Sequence, residues 1–145
     1  MKRILVAIDG SNGAARALQF ACDISSQCGG RLWLVNVISN FGLAAAELEQ
    51  FREAEGGSIS DLLESLSTQV LQQARQLAQQ RGIHDIELVS RTGDVAGAIV
   101  EVAEDCSADV IVLGRRGHGL MPGLMLGSVS QKLASAAPRP VIVVP

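Results

Sequence analysis

Five short apolar runs, separated by segments of helical period, constrain this chain more than any other feature. Ile4–Ile8, Leu32–Ile38, Val110–Leu113 and Val141–Val144 are near-continuous Val, Ile and Leu. Strands of that kind must be covered on both faces, which an all-parallel sheet with helices on each side provides. Between them lie stripes at spacings of three and four: Ala14, Ala17, Leu18, Ala21 and Ile24; Ile59, Leu62, Leu63, Leu66, Val70 and Ala74; Ala96, Ile99, Val100 and Ala103; Val129, Leu133 and Ala136. The remaining run, Ile86–Val89, is interrupted by Glu87 and followed by Ser90, which predicts an edge strand. The expectation is an α/β fold, a three-layer open five-stranded parallel sheet with helices on both faces. In such a sheet, ligands sit beyond the carboxyl ends of the strands, where the winding reverses.

Punctuation supports the same division. Cys28-Gly29-Gly30 stops the first helix, Gly82 the helix after Ser58, and Gly93-Asp94 opens the next. Ser58 with Asp61 fits a capping box. Leu43–Phe51 reads as a short helix with an acidic outer face, broken at Gly56-Gly57. With 145 residues and neither repeat nor linker, residues 1–145 are expected to form one domain.

Composition removes several function classes. Hydrophobic residues make up 48% of the chain and charged ones 19%, a globular balance. The net charge is −3 and Tyr is absent, which argues against nucleic acid as a partner. No apolar run approaches a membrane span. The start, Met1 to Ile8, is cut short by Asp9 and reads as a first strand rather than a leader. Cys22, Cys28 and Cys106 form no CxxC, and with only His84 and His118 beside them they make no zinc set, so reduced thiols in the cytoplasm are expected.

The chemistry concentrates after the fourth run. Gly114-x-x-Gly117, nine residues, then Gly127-Ser128 places a glycine-rich loop between a buried strand and a helix start. Glycines there permit close backbone approach or positive φ. The free N–H groups of the helix start suit a phosphate, and the helix dipole favours one. The hydroxyls of Ser128 and Ser130 can donate further bonds, and Arg115 and Arg116 can add charge. The loop is no Walker A motif: Gly127 precedes Ser128, and the nearest lysine, Lys132, lies about a turn along. Asp9, closing the first run, either accepts from a ribose hydroxyl or adenine amine or joins Ser11 in capping the next helix.

These residues resemble the universal stress protein family, small proteins of the adenine-nucleotide α-hydrolase-like fold. The resemblance spans the chain: Ile4–Ser11, Gly93-Asp94 with Ala98-Ile99, Asp109–Gly114, the glycine spacing of the ATP-binding branch, and Pro140–Val144. It implies strand order 3-2-1-4-5. It implies ATP as cofactor, with or without Mg2+. Asp9 would lie near the adenosine, with Val37 offering backbone groups to the adenine edge and Ala7 lining the same pocket. Gly114 and Gly117 would approach ribose and phosphate, and Gly127, Ser128, Val129 and Ser130 would hold the phosphates. A homodimer through the last strand, Val141–Val144, is also implied, and agrees with the apolar edge that strand would otherwise leave. Asn36 stands where the family often has His, and the loop centre Leu120–Leu126 is unusually apolar.

With no Walker lysine and no acidic Mg2+ site beside the loop, the expectation is binding with little or no hydrolysis: a nucleotide-dependent switch in the stress response, with no catalytic residue assigned. His118 reads as a solvated loop residue rather than a base. The alternative is a nucleotide-independent dimeric interaction module using the apolar loop and the acidic run Glu47, Glu49, Glu53 and Glu55. An adenylating ligase would need a substrate domain for which the chain has no room.

Overall fold

The computed structural model describes residues 2–39, 59–115 and 126–145. The expected helix at Leu43–Phe51, the acidic run, Ser58, Arg116, Gly117, His118 and the loop centre apart from Leu126 lie outside the described residues.

The element order is β1 (Arg3–Ala7), α1 (Asn12–Cys28), β2 (Arg31–Ile38), α2 (Ile59–Gln80), β3 (Ile86–Thr92), α3 (Val95–Asp105), β4 (Val110–Gly114), α4 (Ser128–Ala136) and β5 (Val141–Val144). All strands pair in parallel, in the order β3-β2-β1-β4-β5, so the α/β fold and strand order 3-2-1-4-5 stand as expected. The winding reverses between β1 and β4.

Alternation along the central strands sorts the core into two layers. Ile4 and Val6 of β1, Leu32 and Leu34 of β2, and Val110 and Val112 of β4 pack with Ala17, Leu18 and Ala21 of α1 and Leu71, Ala74 and Ala78 of α2. Leu5, Val35, Ile111 and Leu113 face the other way, onto Ala96, Ile99, Val102 and Ala103 of α3 and Leu133 of α4. Small residues on the helices let them lie close to a sheet whose own side chains are branched and large. Truncating a fully buried residue of either layer, such as Leu18 or Ile99, costs about 2–5 kcal/mol.

β3 runs three residues beyond the Val89 boundary expected from apolarity. Ser90, Arg91 and Thr92 pair with Asn36, Val37 and Ile38, because backbone pairing at an edge does not require apolar side chains. That edge is charged: Arg31 of β2 reaches both Asp85 and Glu87 at 2.8 Å and lies over the Trp33 ring. The opposite edge, β5, shows four half-buried aliphatic residues.

The amino-terminal ends of β1 and β4 are tied together by Asp109, whose Oδ2 accepts the backbone N–H groups of Lys2 and Arg3, both at 2.9 Å. The Arg3 and Lys2 N–H groups hold this carboxyl below its ordinary range. At the same end α1 stops at Gly29, whose φ of 68° ends the helix and lets its N–H reach Ser25 O.

Candidate functional site

A cleft of about 610 Å³ opens beyond the carboxyl ends of the strands, across the β1/β4 reversal. The volume lies within the ~300–1,000 Å³ of small-molecule sites. Its walls differ in chemistry. Val35 and Val37 of β2 with Val95, Ala96 and Ile99 of α3 make an apolar wall; Ser128, Lys132 and Asp94 make a polar one. An aromatic base suits the first and an anion the second.

The two turns that shape its floor are held by side chains. Ser11 N–H donates to Asp9 Oδ1 at 2.9 Å, and Ser11 Oγ accepts from Ala14 N–H at 3.1 Å, so Ser11 is the N-cap of α1 and Asp9 shapes the turn before it. Asn36 Nδ2 donates to Ile8 O at 2.8 Å, bracing the end of β1 against β2.

Three helices begin at this rim, and they differ at their first turn. Ser11 caps α1, and Asp94 Oδ2 caps α3 by accepting Gly97 N–H at 2.9 Å. The N-cap of α4 is Gly127, which has no side chain, and among the described residues no side-chain cap hydrogen bond closes that helix start. Its backbone at φ −71°, ψ 166° has ordinary N-cap geometry, so the N–H groups of Ser128, Val129 and Ser130 are presented at the cleft without a side-chain cap. That is an anion-binding arrangement, reinforced by the helix dipole.

Of the residues expected at the site, Ala7, Asp9, Val37, Gly114, Gly127, Ser128, Val129 and Ser130 all line this one cleft, and Gly117 lies outside the described residues. Three details refine the expectation. Of the two alternatives for Gly114, close backbone approach holds rather than positive φ, and the approach is to α1, since a Cβ there would come within 2.7 Å of the Gly13 backbone carbonyl. The Ser130 hydroxyl, buried, donates to Gly114 O at 2.9 Å and also lies 3.2 Å from Arg115 O, so it closes the loop base and leaves the backbone N–H to face the cleft. Arg115 does not line the cleft; its N–H extends the β4–β5 pairing to Val144 O.

Among the described residues, the cationic side chain lining the cleft is Lys132, which is not placed as a Walker lysine would be. The signal was present: Lys132 is four residues after Ser128 and therefore on the same helix face. Asp94, read only as a helix start, faces it, with Oδ1 at 3.9 Å from Lys132 Nζ. The thiols play no part here. Burial pushes both Cys22 and Cys106 up, which makes them poor nucleophiles near neutral pH, and neither lines the cleft. Among the described residues, no helix is long and apolar enough to cross a membrane.

A family model described as the universal stress protein family matches residues 1–145.

This chain belongs to the universal stress protein family.

Among curated members it is 29% identical to a universal stress protein of Methanocaldococcus jannaschii, over 99% of this chain and 81% of that one. It is 27% identical to universal stress protein YxiE of Bacillus subtilis, over 98% and 97%. The fold is that of UspA from Lactobacillus plantarum, with a TM-score of 0.81 at 22% identity over 99% of this chain and 97% of that one. A universal stress protein solved in complex with cAMP superposes with a TM-score of 0.72 at 25% identity, over 99% of this chain and 97% of that one.

Proposed function

We propose that this universal stress protein binds ATP in the cleft at the β1/β4 reversal and acts as a nucleotide-dependent switch, with little or no hydrolysis. The observation that carries the reading is the bare N-terminus of α4. Gly127 leaves the first turn of α4 without a side-chain cap where Ser128, Val129 and Ser130 line a cleft whose other wall is apolar, while the neighbouring helix starts are closed by their own side chains. The cAMP complex of a family member supports an adenine nucleotide as the ligand class.

In this reading the base lies against Val37 and Ala7, with Val37 offering backbone groups to the adenine edge and Asp9 near the ribose. Gly114 and Gly117 border the sugar and phosphates, and the α4 N–H groups hold the phosphate chain. Bound ATP would shift the population of conformers and so alter a surface offered to a partner. The uniformly aliphatic β5 edge supports a homodimer through Val141–Val144.

The test is the thermal shift of nucleotide-free protein on adding ATP, with mass identification of any nucleotide that copurifies. A clear upward shift, abolished by Gly117→Val, is expected. Absence of any shift together with unchanged behaviour of the variant would overturn the reading. Phosphate release should stay near background; steady turnover would replace the switch with an enzyme.

A further inference from the structure

The Asp94–Lys132 pair at the polar end of the cleft has no structural task that requires it. Both side chains are about two-thirds exposed, at 67% and 64%, and their closest approach is 3.9 Å, so the pair contributes little to folding. Asp94 already has a structural bond through Oδ2, to Gly97 N–H, and uses only Oδ1 toward the lysine. Lys132 makes a long contact to one carboxylate oxygen while lining a cleft with the bare start of its own helix.

Position gives this lysine a direction. On α4 it follows Ser128 by four residues, about 6 Å along the axis, and helical side chains lean toward the N-terminus. Its ammonium therefore belongs to the space just beyond the Ser128–Ser130 N–H groups. Asp9, Asp94 and Lys132 are the charged residues lining the cleft among those described. A single phosphate is served by the helix N–H groups alone. Beyond those groups the described lining offers Asp94 and Lys132, so the charge of a second or third phosphate extending that way would meet the lysine.

We propose that Lys132 is a phosphate-counting residue: it exchanges the Asp94 carboxylate for the distal phosphate of a nucleoside di- or triphosphate, and so makes the cleft prefer these over a monophosphate. The inference rests on the reading of the cleft as a nucleotide site. Asp94 holds the lysine across the opening in the unligated protein, and the weak geometry of the pair makes that exchange inexpensive. The charge-assisted contact to phosphate is stronger than the loose ion pair it replaces.

Isothermal titration of the full chain with ATP, ADP and AMP at fixed Mg2+ tests it, comparing wild type with Lys132→Gln and Lys132→Arg. Lys132→Gln should weaken ATP by roughly tenfold while AMP changes by less than about twofold, with ADP between. Lys132→Arg should retain most of the ATP preference. Unligated melting temperatures should coincide, since the side chain is exposed. If wild type binds both ATP and AMP and Lys132→Gln weakens both equally or neither, the role of Lys132 is overturned while the cleft reading stands. If wild type binds no adenine nucleotide, both are overturned.

Discussion

The starts of α3 and α4 face the same cleft and solve the same problem in opposite ways. At α3, Asp94 turns its carboxylate onto Gly97 N–H and closes the helix from within the chain. At α4, Gly127 has nothing to offer, and three N–H groups are left to the cleft. With glycine as its N-cap, α4 forgoes only a few tenths of a kcal/mol, roughly, relative to Ser, Asp or Asn, so the open start costs the fold little. The difference teaches where the fold keeps binding capacity: in the helix start whose own side chain has been removed.

The largest disturbance of this contrast should come from Gly114→Val. Its Cβ would collide with the Gly13 backbone, and Gly114 O is an acceptor for the Ser130 hydroxyl that ties α4 to the end of β4. A loss of about 2–3 kcal/mol is expected in urea unfolding, with a lower melting temperature. Making α4 like α3 is the next strongest test. Gly127→Asp supplies an internal cap and an extra negative charge where a phosphate would lie. ATP affinity by calorimetry should fall roughly 10–100-fold, while the unligated protein keeps its helical circular dichroism. If ATP binds the variant as well as wild type, the open helix end is not the phosphate site.

The reciprocal changes belong to stability alone. Ser11→Ala and Asp94→Ala should each cost about 1 kcal/mol in denaturant unfolding, through the lost bonds to Ala14 and Gly97. Asp94→Ala should also free Lys132 and so raise ATP affinity by up to about twofold while the helix loses its cap, which would separate cap from cleft. The smallest effect lies at the far end of the sheet. The backbone N–H groups of Arg3 and Lys2 depress the Asp109 carboxyl. Its contribution is fully present above the ordinary carboxylate range and is lost as pH falls through the lowered folded value. Asp109→Asn should therefore flatten the acid side of the stability profile below about pH 4, and leave nucleotide binding unchanged.

Much of the architecture was legible because apolar period and glycine punctuation act locally. Val141–Val144 and the helix Ser128–Ala136 have the boundaries expected from their residues. β3 extends past its apolar residues because Ser90, Arg91 and Thr92 carry no apolar signal, and only their pairing with β2 makes them strand. At the site, the expected residues that are described line one cleft, yet their individual tasks were misread where the task depends on a distant neighbour. Gly114 is bare because of Gly13, the Ser130 hydroxyl is taken by the carbonyls of Gly114 and Arg115, and the cleft charge belongs to Lys132 rather than Arg115.

By itself, then, the amino-acid sequence determined the alternation of strands and helices, the parallel sheet covered on both faces, and the glycine-opened helix start with phosphate-binding character. These follow from chain-local rules: side-chain period, caps, and the obligation to bury branched aliphatic strands. Tertiary structure alone decided that Ala7, Val37, Asp94 and Lys132, from four separate elements or their caps, meet at one cleft. That meeting depends on where the winding reverses and on which helix start remains open once every neighbour has taken its hydrogen bonds, and neither is a property of any single segment.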